Sequence, residues 1–168
     1  LSWMRLSINA ATPAAYAAIH GCSRKRFGEV MRNARAAVKI RDKASAPCTI
    51  GVQLVLLPSN MGEVEPLARI CADMGVDYLT VKPCIPHPLS GHDDWPDYDM
   101  NALLEMKERL QRFDSSKFKI YFRLHGFEKL RNPVRRYGHC LGLPFFAKIA
   151  SDGNVYSCGQ HFGQPEFC

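Results

Sequence analysis

Hydrophobic and polar residues alternate strictly at the start of the chain, which is typical of a strand with one buried face. Met4, Leu6 and Ile8 fall on one side of this strand, and Arg5 and Ser7 fall on the other. Further along, apolar positions recur with a helical period between similar strand patterns. The predicted strands are residues 3–9, 49–57, 77–82 and 117–124, and the predicted helices are a short one from 12 and longer ones over 24–43, 63–74 and 99–113.

The order of these elements indicates an α/β fold. Strands that alternate with helices form a parallel sheet, wound either as a barrel or as an open fold. Residues 49–57 are aliphatic on both faces, as in a buried parallel strand. Ligands of such sheets bind at the carboxyl ends of the strands. No strand is followed by a Gly-x-Gly-x-x-Gly or phosphate-loop pattern, which disfavours the nucleotide-binding open folds.

Composition narrows the class of protein further. The chain has 168 residues, a net charge of +6 and seven cysteines. No signal-peptide or membrane-spanning pattern is found, so we expect reduced cysteines in the cytoplasm, where cysteine clusters serve metal binding or catalysis. Basic residues crowd positions 24–43, which we interpret as the solvated face of a helix rather than a nucleic-acid surface, since no aromatic residues or nucleic-acid motif accompany them.

Two cysteines flank a predicted β-hairpin near the end of the chain. Cys140 and Cys158 surround two short strands, 145–149 and 155–156, that are joined by the turn Asp152-Gly153. Two thiolates brought together suit an iron–sulfur cluster or zinc. His139 and His161 lie beside these cysteines, so a mixed Cys/His zinc site is the alternative to a cluster.

Polar residues on the predicted strands form the second group of candidates. They are Arg5, Ser7, Asn9, Gln53, Thr80, Lys82, Tyr121, Arg123 and His125. Polar groups on strands built for burial need partners, which a polar ligand in a barrel lumen supplies, or which they supply to one another. Asn60, just after the second strand, either contacts a ligand or caps the next helix. Residues 84–97, with His87 and His92, are predicted to form a functional loop.

Several of these runs together resemble the second half of a radical S-adenosylmethionine (SAM) enzyme barrel. They are Arg5-Leu-Ser-Ile-Asn-Ala-Ala, Tyr16-x-x-Ile-His-Gly, the strand from Ile50 to Leu57 with Asn60, and Gly75-Val-Asp-Tyr-Leu-Thr-Val-Lys-Pro. The spacing Cys140-x12-Gly153-x4-Cys158 resembles the opening of the auxiliary cluster domain of the SPASM and twitch subgroups. The resemblance covers nearly the whole chain.

This resemblance implies a partial parallel (β/α) barrel fragment followed by a small Cys-containing β-hairpin module. It implies reductive cleavage of S-adenosylmethionine at a [4Fe-4S] cluster to a 5′-deoxyadenosyl radical, which abstracts a hydrogen from a peptide, sugar or small-molecule substrate. Ser7 and Asn9 match the family's cofactor-binding strand positions, and Asn60 and Lys82 are further cofactor-binding candidates. Cys140 and Cys158, and Cys168 after them, are the expected cluster ligands.

The same resemblance predicts that a preceding half is missing. Neither the Cys-x3-Cys-x2-Cys motif of the SAM cluster nor the Gly-Gly-Glu stretch is found, and the chain begins almost inside a strand. We therefore expect the fragment alone to be inactive. Its predicted parts are barrel residues 1–125, a linker over 126–138 that includes Arg135-Arg136, and the start of the auxiliary domain over 139–168. The implied reductant is a flavodoxin or ferredoxin.

A second hypothesis of a different class stays open. The chain could be an α/β binding module without redox chemistry, stapled by zinc at Cys140, Cys158, His139 and His161. Neither hypothesis involves a membrane, and nucleic acid is not an expected partner.

Overall fold

The computed structural model describes residues 1–85, 87, 97–132, 134 and 137–168. It divides into two compact units, of which the larger comprises Leu1–Cys84 and Pro96–Arg131 and the smaller comprises Ile85–Trp95 and Asn132–Cys168. Most of the predicted loop over 84–97, including His92, and the basic pair Arg135-Arg136 lie outside the described residues.

A four-stranded parallel sheet forms the centre of the larger unit. Its strand order is the order of the chain, β1-β2-β3-β4. Every neighbouring pair is parallel, so each connection crosses over through helical structure. The predicted α/β class and partial parallel sheet are therefore confirmed. The strands are β1 (Trp3–Ser7), β2 (Thr49–Leu56), β3 (Tyr78–Pro83) and β4 (Lys119–Phe122).

Five α-helices and one 3-10 helix, Pro58–Glu63, accompany this sheet in the described part of the larger unit. The α-helices are α1 (Pro13–His20), α2 (Lys25–Lys43), α3 (Val64–Met74), α4 (Met100–Gln111) and α5 (Leu124–Arg131). No helix in the described part of the chain combines the length and apolar character that a membrane span requires.

The helix ends follow the capping residues of the sequence. The Thr12 side chain accepts a hydrogen bond from the Ala15 amide at 3.3 Å and caps α1. Gly21 and Gly75 end α1 and α3 in the left-handed conformation, with φ of 60° and 83°. Asp99 caps α4 by accepting from the Asn101 amide at 2.9 Å.

The apolar side chains on one face of the sheet form part of the hydrophobic core. The register pairs Leu6 with Val52 and Val52 with Leu79, so apolar side chains of neighbouring strands share that face. Val52 and Leu79 are fully buried. The helices complete the core with apolar stripes, which include Met31 and Val38 of α2, Leu67 and Cys71 of α3, Leu103 and Leu110 of α4, and Phe127 of α5.

The helix α5 was not predicted, since the sequence pattern gave no element after residue 124 and a linker from residue 126. A glycine in a short polar segment predicts the end of a helix or strand. In the fold, α5 packs against β3 and α4, and its Phe127 is 1% exposed. Phe127 contacts Tyr98 edge-on with ring centroids 4.8 Å apart. Burial of one aromatic side chain therefore stabilises a helix that local propensity does not indicate.

The smaller unit contains the predicted hairpin, with shorter strands. Lys148–Ile149 (β5) pairs antiparallel with Val155–Tyr156 (β6). Phe145, predicted to begin the first strand, instead ends a 3-10 turn over Leu143–Phe145. Gly153 has a φ of 88°, and Asp152 accepts from the Asn154 amide at 3.0 Å, as its turn chemistry predicts.

Candidate functional site

The second face of the sheet carries the predicted polar positions. The register aligns Ser7 with Gln53, Gln53 with Thr80 and Thr80 with Tyr121, so these four side chains form one row across the sheet. Residues two positions earlier or later in each strand lie on the same face of the sheet. We call this surface the polar face, and its residues include Arg5, Ser7, Gln53, Tyr78, Thr80, Lys82, Lys119, Tyr121 and Arg123.

Asn9 and Asn60 meet at the carboxyl ends of β1 and β2. The Asn9 Oδ1 accepts a hydrogen bond from the Val55 amide at 2.8 Å. The Asn60 Nδ2 donates to the carbonyl oxygens of Asn9 and Val55, and its Oδ1 accepts from the Leu57 amide. Asn60 is fully buried. Both side chains are therefore engaged with the main chain of the strand ends, and Asn60 fastens the turn that begins the following helical segment.

Lys82 is the cation at the end of β3, and it has cationic neighbours on both sides. Burial lowers the pKa of Lys82, and the positive charges of Arg5 and Arg123 lower the pKa further. In the described part of the chain, none of the three side chains takes part in an ion pair. The polar face thus holds a concentration of positive charge close to the strand ends.

Ser7 ends β1 with an exposed side chain. Its hydroxyl makes no hydrogen bond to the described residues, so it is available to a ligand at this edge. The neighbouring row includes Tyr78, whose ring covers the main chain of Gly51. Tyr121 contacts Tyr78 edge-on with centroids 5.7 Å apart, and it remains 55% exposed. The face therefore combines polar, cationic and aromatic groups.

Tyr98 also lies at the carboxyl ends of the strands, and it was not predicted from the sequence. Its hydroxyl donates to the Leu56 carbonyl oxygen at 2.7 Å and accepts from the Cys84 amide at 3.2 Å. It therefore joins the ends of β2 and β3, and burial raises the pKa of its phenol. The only signal in the sequence is a tyrosine directly before the helix cap Asp99.

Glu63 is the second residue that sequence reasoning missed. Its Oε2 accepts from the amides of Ala11 and Thr12 at 2.7 and 2.9 Å. A carboxylate at the amino end of α1 complements the helix dipole. Glu63 thereby ties the loop after β1 to the loop after β2, and no local pattern connects these two segments.

The predicted metal ligands lie in the smaller unit. Cys140 and Cys168 are exposed, and Cys158 is half-buried. Among the residues that the structure describes, no three His, Cys, Asp or Glu side chains are gathered as metal ligands. His161, a ligand of the zinc alternative, faces Gln164 at 2.7 Å from Nδ1 to Oε1 and stacks on Phe167. In the described part of the chain, Cys140, Cys158 and Cys168 are therefore not gathered into one ligand set.

Known structures share this fold. The chain superposes on the crystal structure of Streptococcus suis SuiB with a TM-score of 0.63, at 13% identity, over 97% of this chain and 39% of that one. It is also similar to SuiB bound to S-adenosylmethionine (TM-score 0.65, 13% identity, 97% and 38% covered). SuiB bound to the precursor peptide SuiA gives a TM-score of 0.62 at 15% identity, with 97% and 38% covered.

These similarities establish the fold of the chain. The chain shares with SuiB its α/β fold around a parallel four-stranded sheet. The chain spans less than two-fifths of the length of these SuiB chains. No protein-family model and no curated protein matches the sequence.

The residues present fit S-adenosylmethionine better than they fit an iron–sulfur cluster. The Ser7 hydroxyl at the end of β1 and the Lys82 ammonium at the end of β3, with β2 between them, suit a ligand with ribose hydroxyls and a carboxylate. A cluster needs three or four thiolates, and the described residues assemble no such set.

Proposed function

We propose that this chain is the second half of the barrel of a radical SAM enzyme, joined to the start of a SPASM/twitch-like auxiliary domain. The observation that supports this most directly is the polar face at the strand ends of a parallel sheet, in a fold similar to SuiB bound to S-adenosylmethionine. When bound, S-adenosylmethionine supplies a hydrogen-abstracting radical after reductive cleavage. The chain's own residues bind and orient it.

In this proposal the residues at the strand ends have separate roles. Ser7 donates or accepts a hydrogen bond to a cofactor hydroxyl, and the Lys82 ammonium pairs with the cofactor carboxylate. Asn9 and Asn60 act as positioning residues, because their side chains fasten the strand ends to which Ser7 belongs. Tyr98 holds β2 and β3 together beside Lys82.

The proposed substrate is a peptide. SuiB has been crystallised with its precursor peptide SuiA, and the polar face presents exposed aromatic and cationic groups of the kind that bind peptides.

Cys140 and Cys158, with Cys168 as a third candidate, are the proposed auxiliary-cluster ligands. The remaining ligands of the auxiliary cluster must then come from residues other than these three cysteines. A cytoplasmic setting and a flavodoxin or ferredoxin reductant complete the proposal.

The test uses the full-length gene product. The protein is reconstituted anaerobically with iron and sulfide, reduced with dithionite and supplied with S-adenosylmethionine, and 5′-deoxyadenosine is measured by chromatography. We expect formation of 5′-deoxyadenosine by the wild type. Lys82→Gln should lower the rate at subsaturating cofactor by about tenfold, since a charge-assisted hydrogen bond is lost. The matched control, Lys39→Gln on the exposed side of α2, should leave the rate unchanged.

Metal analysis distinguishes the zinc alternative. Acid-labile sulfide and iron in the reconstituted protein support the proposal. One tightly held zinc with no sulfide and no 5′-deoxyadenosine would contradict it and would favour a zinc-stapled binding module.

A further inference from the structure

We propose that the polar face binds an acidic stretch of the substrate, with its carboxylates held by Arg5 and Arg123. The inference rests on the proposed function, because it names the chemical class of the substrate for the same site. It goes beyond that function in assigning two residues to substrate recognition.

Strand register places the two arginines on the same face as Lys82. Arg5 pairs with Gly51, and Gly51 pairs with Tyr78. Lys82 is four positions after Tyr78 and so lies on the same side of β3. The Arg123 amide donates to the Val81 carbonyl oxygen at 2.9 Å, which continues the pairing of β3 with β4 past its last residue. Arg123 therefore lies opposite Lys82, in the row of the sheet that follows the row of Thr80 and Tyr121.

The three positive charges are not neutralised within the described part of the chain. No described carboxylate forms an ion pair with any of them, whereas Arg26, Arg41, Arg109 and Arg112 all have such partners. The lowered pKa of Lys82, caused first by burial and then by the two arginines, agrees with mutual repulsion. A bound anion would relieve this repulsion.

The cofactor cannot balance this charge by itself. S-adenosylmethionine carries one carboxylate against an ammonium and a sulfonium, so its net charge is positive. Its carboxylate can pair with Lys82, but among the described residues neither arginine has a carboxylate partner, and Arg5 contacts only the Trp3 ring at 5.6 Å. A second, anionic ligand would therefore complement the two guanidinium groups. Guanidinium groups match the planar carboxylate of an Asp or Glu side chain in two parallel hydrogen bonds.

The separation of the arginines favours a peptide over a single phosphate. Arg5 and Arg123 lie on the two outer strands of the four, about 14 Å apart across the sheet, and the register offsets them by four residues, or about 13 Å, along the strands, so their main chains are about 19 Å apart. One phosphate group cannot contact both side chains from a compact position. An extended peptide advances about 3.4 Å per residue, so acidic residues about six positions apart match this spacing. The exposed ring of Tyr121 offers a contact between them.

The experiment measures peptide binding to the full-length protein in the presence of S-adenosylmethionine. The probe is a fluorescein-labelled nonapeptide of Gly and Ser with two Glu residues about six positions apart, and its control has Gln at both places. Fluorescence anisotropy should show about tenfold tighter binding of the Glu peptide. Arg5→Gln combined with Arg123→Gln should reduce its affinity to that of the Gln peptide, and Lys39→Gln should not.

Three outcomes would overturn the proposal. They are equal binding of the two peptides, tight Glu-peptide binding that survives both arginine substitutions, and loss of the Glu preference when millimolar inorganic phosphate is added at constant ionic strength. The last would assign the arginines to a phosphate group. Arg5→Lys and Arg123→Lys, which keep the charge, should retain part of the preference and so separate charge recognition from misfolding.

The two proposals fail in different measurements. If the wild type forms no 5′-deoxyadenosine, the proposed function fails, whatever the peptides do. If 5′-deoxyadenosine forms and the peptides are not distinguished, only the substrate assignment fails.

Discussion

The side-chain amide of Asn60 donates a hydrogen bond of 2.9 Å to the carbonyl oxygen of Asn9. A second bond of 3.0 Å reaches the Val55 carbonyl, and the Leu57 amide donates to Oδ1 at 2.7 Å. Because Asn9 in turn accepts from the Val55 amide, the two asparagines hold the carboxyl ends of β1 and β2 in fixed positions. The candidate cofactor site is built on this connection.

Replacing Asn60 should strongly destabilise the protein. Asn60→Ala leaves buried main-chain groups of Asn9, Val55 and Leu57 without their partner, so we expect the free energy of unfolding to fall by about 2–4 kcal/mol. Urea denaturation of the full-length protein measures this change. Asn33→Ala, at an exposed position of α2, is the control and should change it by less than about 0.5 kcal/mol. A loss below about 1 kcal/mol for Asn60→Ala would contradict the connecting role.

Gly51 is required because the ring of Tyr78 occupies the space that a side chain would need. A Cβ at Gly51 would overlap the Tyr78 ring, so Gly51→Ala forces that ring off the sheet. We expect thermal unfolding to show a destabilisation of about 1–3 kcal/mol. Gly62→Ala is the matched control, since a Cβ there meets nothing within 4 Å.

The coupling of this pair can be measured directly. Tyr78→Ala removes the obstructing ring, so Gly51→Ala should destabilise that variant clearly less than it destabilises the wild type. Equal effects in the two backgrounds would refute the steric explanation.

His20 should make the protein less stable at mildly acidic pH. Burial lowers the pKa of His20 below 6.5 in the folded state, and the Asn9 amide points at Nε2 at 3.4 Å. The unfolded chain therefore binds more protons between the two pKa values. Stability contributed by this group is present above pH 6.5 and is lost as the pH falls from there towards the folded-state pKa.

Urea denaturation at pH 7.5 and pH 5.5 tests this pH dependence. His20→Phe keeps an aromatic ring against Tyr16 and cannot titrate, so the difference between the two pH values should shrink. His125→Gln, at an exposed position of α5, is the control and should preserve the wild-type difference. A His20→Phe variant with the full wild-type pH dependence would disprove the assignment.

The cysteines should differ sharply in reactivity. Cys71 is fully buried in α3, and burial raises the pKa of its thiol to about 12, so the reactive thiolate is scarce. Cys140 and Cys168 are exposed. Brief treatment of the native apoprotein with iodoacetamide, followed by peptide mass spectrometry, should show alkylation at Cys140 and Cys168 and none at Cys71. Urea should make Cys71 reactive, and early labelling of Cys71 in the native protein would contradict its place in the core.

Most of the element boundaries could be predicted because they depend on local chemistry. Alternation with period two marked β1, and helical periodicity marked α2 to α4. Thr12, Gly21, Gly75 and Asp99 marked helix ends, since capping uses groups only a few residues away. The hairpin followed from Asp152-Gly153 for the same reason, although its strands are shorter than predicted.

The candidate site was only partly predictable. Ser7, Asn9 and Lys82 were predicted as polar residues of the strands and Asn60 as the residue after the second strand, and in the structure all four lie at or beside strand ends. The sequence could not tell that Asn9 and Asn60 are engaged with the main chain, because their partners lie on other segments. It likewise gave no reason to connect Glu63 with Ala11, or Tyr98 with Leu56.

By itself, the sequence determined the order and type of the elements and hence the parallel α/β class, because periodicity and capping are local properties. Only the tertiary structure decided that α5 forms, through burial of Phe127, and that Arg5, Lys82 and Arg123 share one face without carboxylate partners in the described part of the chain. Strand register brings these residues together, and register depends on the packing of segments far apart in sequence.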